Sequence, residues 1–427
     1  MNEHVPPNGE ANRVRPCVLV FVGCYVPGFR AGGPIQSIWN LVEALGEDLD
    51  FRIVTADRDL GQHSPYVGVV LNEWTPVGRG SVLYVRSGLR GSLRAWALVR
   101  KVPFDVIYLN SFFSPGFSFV PILMRKLGLL RRTPVIVAPR GEFASAALRR
   151  KRFKKSVYGT LVRWTGLFTD TIWHASSDAE AQDMRNAQRM QVGIMMVYPV
   201  GITAATARSH RMAPIISVAH NVVGSAGPPS DICDIPPKEP GRLNLVYVGR
   251  IHPHKQLSWA LQVLASVRGN VRFDVVGPIE DGRYWQECLR LSAALPDGSS
   301  MQYIGEMPHD EVLEQLETHH ALFLPSRSEN YGHSIVEALS AGRPVIISDQ
   351  TPWRQLQQSH AGWDVPVGDF VQWLAAVQGL TDCGQDEYAA YCQGARRYSQ
   401  AHCGESAAVE ENRKMFVLAL AASGLGK

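Results

Sequence analysis

No two of the chain's cysteines form a C-x-x-C pair, and none has a histidine partner at zinc-finger spacing, so neither a dithiol redox centre nor a structural zinc site is encoded. The seven cysteines, Cys17, Cys24, Cys233, Cys288, Cys383, Cys392 and Cys403, are odd in number and widely scattered, which fits reduced thiols in a cytoplasmic protein. Long apolar runs are missing too. The longest, such as VLVFVGCYV from Val18, are strand-sized and fall well short of the roughly 20 residues of a membrane span, so any membrane contact is expected to be peripheral. The opening MNEHVPPNGEANRVRP has no apolar centre; residues 1–15 read as a disordered lead-in and not as an export signal. Excess charge of one sign is small, +4 over 427 residues, so general attraction to nucleic acid is not indicated, and no nucleic-acid readout module accompanies the basic residues.

What the chain does have is alternation. Strand-like runs CVLVFVG at Cys17, FRIVTA at Phe51, DVIYLN at Asp105, PVIVAP at Pro134 and TIWHAS at Thr171 are separated by helical stretches. A second series follows with LNLVYVG at Leu243, VRFDVVG at Val271, MQYIG at Met301, ALFLPS at Ala321 and PVIISD at Pro344. Two such series in a chain of this length predict two Rossmann-like α/β domains. The expected division is an N-terminal domain over 16–205, a linker region over 206–242 rich in Pro and Gly, and a C-terminal domain over 243–398. The boundary is expected near Pro236, and a final helix with its tail over 399–427.

The most informative stretch is PSRSENYGHSIVEALSAGRPVIISD, Pro325 to Asp349. It reads as a loop after a strand, a helix from His333 to Ser340 stopped by Gly342, and a buried strand. Glu329 stands in the loop and Glu337 on the helix, so two carboxylates can reach different parts of one extended ligand, while the first-turn amides of the helix can hold a phosphate or sugar hydroxyls. A second motif, LVYVGRIHPHKQL, puts Arg250 and Lys255 after a strand, where two cations can neutralise a phosphate leaving group; two solvated surface charges are the plainer alternative. The turn Arg30-Ala31-Gly32-Gly33-Pro34 follows the first strand and precedes a helix to Leu45, so its amides can approach a phosphate, although it is not GxGxxG and a tight turn explains it as well.

These two blocks together resemble the retaining glycosyltransferases of family four, with their E-x7-E signature and G-R-x-x-x-x-K motif. The resemblance implies a GT-B fold whose last helix crosses back to the N-terminal domain, with the C-terminal domain binding a nucleotide-diphosphate sugar. It implies Glu329, Arg250 and Lys255 at the reacting centre. For the donor it implies Gly32 and Gly33, the backbone at Gly305 and Met307 reading the base, Tyr331, Gly332 and His333 holding sugar or phosphate, and Glu337 accepting from the ribose hydroxyls. The block Pro139-Arg140-Gly141-Glu142 looks like an S/A-P-R-G segment of part of the family, which makes Arg140 and Glu142 possible contacts in the cleft, an exposed ion pair on a turn being the alternative. There is also a departure. Many relatives carry a His after the strand matching DVIYLN, where this chain has Asn110 and Ser111, and Asn cannot be a general base. His174 is the nearest alternative imidazole, with His252 and His254 ambiguous beside Arg250; a structural role is open for each.

No cofactor and no metal are expected, since Arg250, Lys255 and helix-start amides supply the positive field that a divalent ion would provide. The basic run Leu148 to Trp164, with its cluster from Arg149 to Lys155, suits an amphipathic helix on anionic headgroups, or else a solvated face. The reading is therefore a retaining glycosyltransferase acting in the cytoplasm, free or at the inner face of the membrane, on a saccharide or lipid-linked saccharide of the cell envelope. A nucleotide-sugar isomerase on the same fold and a non-catalytic partner subunit are the rivals. A glycosidase is rejected, because acids spaced along one helix do not flank a glycosidic bond.

Overall fold

The run CVLVF forms β1 (Cys17–Phe21), buried along its whole length as expected of a strand covered by helices on both faces. A computed structural model describes residues 15–86, 96–144, 147–148, 152–189, 215–223 and 235–422. In the first sheet β1 is flanked by β2 (Asp50–Ala56) and β5 (Val106–Leu109), with Val18 level with both Phe51 and Val106. The sheet continues through β3 (Thr75–Val77) and β4 (Gly80–Val85) on one side and β6 (Val135–Val137), β7 (Thr171–Ala175) and β8 (Ile215–Val218) on the other, in the order β3-β4-β2-β1-β5-β6-β7-β8. Only the β3–β4 pairing is antiparallel.

The second sheet contains β9 (Arg242–Val248), β10 (Asn270–Val276), β11 (Ser300–Gly305), β12 (Ala321–Leu324), β13 (Val345–Ser348) and β14 (Gly362–Val365). Its order is β11-β10-β9-β12-β13-β14, all parallel. In each sheet the strand order reverses at one place, between β1 and β5 and between β9 and β12. Ligands of open α/β sheets bind outside the carboxyl ends of the strands at such switch points. The fold is the expected pair of Rossmann-like α/β domains.

The segment expected as linker differs in one respect. Ile215–Val218 pairs with β7, Ile172 level with Ile215, and so closes the first sheet. Its neighbours 206–214 and 224–234 lie outside the described residues, as do 1–14.

The expected single C-terminal helix is two helices broken at Cys403 and Gly404. Gln385–His402 stays with the second domain, where the Tyr388 hydroxyl donates to the His320 carbonyl at 2.9 Å. Glu405–Ala422 makes the crossing. Met415, Phe416 and Ala419 enter the first domain's core beside Val18, Phe51 and Tyr108, and Arg413 pairs with Asp48 at 2.7 Å.

Candidate active site

After β9 the chain turns through Gly249 and Arg250 to a short 3-10 turn, Pro253–Lys255. After β12 it enters the loop that carries Glu329. The switch point brings the two together: Lys255 Nζ lies 2.5 Å from Glu329 Oε1, both side chains largely buried. Burial opposes ionisation of Glu329, but the Lys255 charge and its hydrogen bond outweigh it and hold the carboxyl below its usual range. The loop is fixed to the Lys255 turn by Arg327 N donating to the His254 carbonyl at 2.9 Å and by the His254 ring bonding the Ser328 carbonyl at 3.0 Å. His252 Nδ1 accepts from His254 N. Both histidines ambiguous in the sequence therefore hold backbone in place. Arg250 does not join the Lys255–Glu329 pair; its guanidinium pairs with Glu280, 2.7 Å away.

Gly332 caps the helix His333–Ser340 in the left-handed region, φ 79°, and a Cβ there would meet Ile335 at 2.7 Å, which is why the position needs glycine. Among the described residues no acceptor lies against the amides of Tyr331, Gly332 and His333. The side chains beside these amides point to the other domain. Tyr331 donates its hydroxyl to the Asn221 carbonyl at 3.1 Å, and His333 Nε2 is 3.0 Å from Ser37 Oγ. Since the Ser37 hydroxyl donates to the Gly33 carbonyl, His333 is the donor in that contact and is the Nε2-protonated neutral tautomer. Burial, with Arg140, His309 and Lys255 around it, pushes its pKa down to about 3.

Gly32 and Gly33 open the helix Gly33–Leu45, and a Cβ on Gly33 would sit 3.1 Å from the His333 ring. Two helix starts thus converge on one space, each presenting the positive end of its dipole. The Gly32–Gly33 turn is held by Asp59, whose carboxylate accepts from the amides of Phe29 and Arg30 at 2.7 and 3.0 Å. Across the cleft Arg30 pairs with Glu306 at 2.6 Å, a contact the sequence reading missed. Of the two positions expected to read a base, the Gly305 carbonyl is taken by Gly277 N at 2.8 Å, while Met307 packs its side chain on the second core.

Glu337 is buried without a hydrogen-bond donor among the described residues. The His309 ring stands 3.9 Å away, its own pKa lowered by burial. Burial alone raises its pKa to about 7.

On the first domain's side Asn110 ends β5 and bridges two elements. Its amide donates to the Pro34 carbonyl at 3.2 Å and its oxygen accepts from Arg140 Nε at 2.7 Å. Arg140 is itself in the left-handed region, φ 55°, and its other nitrogens bond Asn221 Oδ1 at 2.5 Å and the Tyr108 hydroxyl at 2.8 Å. All three partners are neutral, so the guanidinium keeps an unneutralised charge beside the cleft.

Two expected contacts are corrected. His174 is buried with both nitrogens occupied, by the Tyr108 hydroxyl and the Ala219 carbonyl, each at 2.7 Å. Burial, reinforced by Arg140, pushes its pKa down to about 3, so it is a neutral interior residue without access to the cleft. Glu142 turns inward, accepting from Ser111 Oγ and the amides of Phe112 and Phe113 at 2.7, 2.6 and 3.1 Å, and anchors the loop after β5.

Glu180 was not anticipated. Its carboxylate takes the amides of Gly141 and Ser176, the Ser176 hydroxyl, and the Asn330 side chain from the other domain. The pattern Ser177-x-x-Glu180 at a helix start was the available signal.

No cluster of three or more possible metal ligands occurs among the described residues. Two Asp-x-Asp triplets, passed over in the sequence, are used otherwise. Asp48 and Asp50 pair with Arg413 and Arg52. Asp57 pairs with Arg58, and Asp59 holds the glycine turn.

Known proteins share this arrangement. Residues 32–201 match the family model described as Glycosyl transferase 4-like domain, and residues 232–393 match Glycosyl transferases group 1. Over 108 residues the chain is 29% identical to sulfoquinovosyl transferase SQD2 of Arabidopsis thaliana, a match spanning 25% of this chain and 20% of that protein. Its fold is similar to that of Anabaena HepE in complex with UDP and glucose, with a TM-score of 0.63 at 12% identity over 94% of this chain and 99% of that one. It is similar also to sucrose-phosphate synthase of Thermosynechococcus elongatus, with a TM-score of 0.65 at 15% identity over 96% and 100%. With both domains matched to glycosyltransferase models and set face to face as in these structures, the chain is a glycosyltransferase of the GT-B type.

Proposed function

We propose that the enzyme transfers a sugar from a nucleoside-diphosphate sugar to an acceptor hydroxyl with retention at the anomeric carbon. The observation that carries this is the Lys255–Glu329 pair at the second switch point, next to the start of the helix His333–Ser340, where the amides of Tyr331, Gly332 and His333 meet no acceptor among the described residues. A diphosphate seated there gains most as its terminal oxygen becomes a leaving group, because the amides and Lys255 meet charge that grows in the transition state. Glu329, held ionised by Lys255, borders the donor sugar. Glu337 lies on the helix that follows, His333–Ser340, with acceptor capacity unspent, which suits the ribose hydroxyls. Solved glycosyltransferases with UDP and glucose bound on this fold support a nucleotide-sugar donor.

In the proposed step the bond from the anomeric carbon to the acceptor oxygen forms on the face where the bond to phosphate breaks. The acceptor proton passes to the departing phosphate oxygen. This route needs no imidazole base. It suits a site in which His174 and His333 are both neutral and hydrogen-bonded, and in which Asn110 stands where relatives have His. Arg250 acts at longer range, by exchanging Glu280 for phosphate. No metal ion takes part in this reading, and the acceptor is a saccharide or lipid-linked saccharide of the cell envelope, reached from the cytoplasmic side.

Incubation with candidate nucleotide sugars and acceptors, reading nucleoside diphosphate release and the anomeric configuration of the product by NMR, tests the proposal. Release that depends on acceptor, with retained configuration and no loss on adding a chelator, is expected. Inverted product overturns retention, and conversion of donor without nucleotide release points to an isomerase.

A further inference from the structure

Between Val120 and Thr169 the chain carries twelve Lys and Arg against a single acid, Glu142, so the remainder of a protein with net charge +4 is negative. That acid is turned inward on Ser111, Phe112 and Phe113, where it also faces Lys155.

The helix Arg152–Thr165 lies in this stretch and is apolar on two sides. Tyr158 and Val162 face the first domain's core, with Tyr158 donating to the Phe112 carbonyl at 2.8 Å. Val157, Leu161 and Trp164, at helical spacing along an adjacent, outward side, are 55%, 42% and 86% exposed. Lys126 donates to the carbonyls of Thr165 and Gly166 at 2.6 and 2.8 Å, which sets the turn after the helix Val120–Lys126 against the end of this stripe. The turn adds exposed Leu127 and Leu129, and Arg131 and Arg132 follow it at the surface. One acid, Asp170, stands at the border and faces Arg125.

We infer that this face, Val157, Leu161 and Trp164 with Leu127, Leu129, Arg131 and Arg132, is a docking surface for an anionic lipid bilayer. The mixture decides the partner. A polyanion in solution would need the cations alone, whereas exposed Trp and Leu flanked by Arg131 and Arg132 match a bilayer interface, apolar beneath and anionic at the headgroups. The same helix props the loop after β5 at the cleft, through Tyr158 on Phe112 and Lys155 over the Phe113 ring at 4.5 Å. Docking therefore brings the acceptor side of the cleft to the membrane. The inference deepens the proposed use of a lipid-linked acceptor, but it is tested without any sugar.

Co-sedimentation of the full chain with phosphatidylcholine vesicles containing about 30% phosphatidylglycerol, and with pure phosphatidylcholine vesicles, reads the surface directly. Binding to the anionic vesicles at low salt, weakening in high salt, is expected. Trp164→Ala with Leu161→Ser, and separately Arg131→Gln with Arg132→Gln, should each lower the partition coefficient by roughly tenfold while leaving the thermal unfolding temperature unchanged. Absence of wild-type binding, or vesicle binding that survives the Trp164 and Leu161 pair intact, overturns the inference. Vesicle binding by an enzyme that transfers no sugar would uphold this surface and refute the catalytic proposal instead.

Discussion

The Asn330 side-chain amide crosses from the loop of Glu329 to the first domain, 2.8 Å from Ser176 Oγ and 3.2 Å from Glu180 Oε2. It places the Glu329 loop and the Arg140-Gly141 turn in one hydrogen-bonded unit, since Gly141 N donates to the same carboxylate. Replacing Glu180 by Gln puts a donor where four donors already converge. A loss of roughly 1–3 kcal/mol in unfolding free energy is expected from denaturant titration. Asn330→Ala removes only the interdomain arm, so stability should hold while turnover falls about tenfold through a misplaced Glu329. Equal stability losses for both variants would contradict this division.

Lys255 and Arg250 are expected to separate. Lys255→Ala leaves the buried Glu329 carboxylate unpaired, so it should cost on the order of 3 kcal/mol of stability, in addition to a fall in kcat of about 100-fold or more. Arg250, half-exposed and paired with Glu280, should lower kcat by roughly tenfold as Ala and leave stability unchanged. Steady-state kinetics beside thermal unfolding of both variants makes the comparison.

The Glu337 carboxyl, raised by burial to about 7, makes stability depend on pH. Its folded pKa lies above its unfolded value of 4.5, so the folded state holds the extra proton between those values. Stability falls as pH rises through that window and levels off above about 7, by roughly 3 kcal/mol in all. Glu337→Gln should flatten this slope. In kinetics Glu337→Ala should raise KM for the donor with kcat little changed, whereas Glu329→Ala should depress kcat by about 100-fold; matching profiles would sink the separate roles.

Phe416 is buried against Phe51 and Tyr108, ring centres 6.0 Å from each. Phe416→Ala should destabilise the protein by about 3–5 kcal/mol, with hydrogen exchange rising at β1 and β2 in the other domain. A loss confined to the C-terminal helix would show that the crossing is loosely attached.

Strands such as CVLVF and ALFL were legible because continuous apolar runs bounded by turn residues leave few alternatives, and the helix His333–Ser340 was found to the residue because Gly332 and Gly342 punctuate it. β3, β4, β8 and β14 were not: three of them have only three or four residues, which carry too little pattern, and the six-residue β4 went unread beside β3. In the site, Glu329 and Lys255 were visible through their spacing. Glu306 and Arg30 were missed because each one's partner lies on the opposite domain, and a long-range pair leaves no local signature; Glu180 had one, the Ser177-x-x-Glu180 spacing at its helix start, and it went unused. His174 and Glu142 misled for the related reason that position after a strand says nothing about which way a side chain turns.

The crossing helix also sets an order of assembly during synthesis. Val18, Phe51 and Tyr108 are among the first core residues made, yet the Met415, Phe416 and Ala419 that cover them emerge about 300 residues after the last of the three. At a translation rate of roughly 5–20 residues per second that interval is tens of seconds, through which the first domain stays open on its helix-facing side. The second domain, whose packing reaches no further than Cys403, can close earlier. The domain made first is thus finished last, and a ribosome-bound chain stopped before Met415 would present Phe51 and Tyr108 to chaperones.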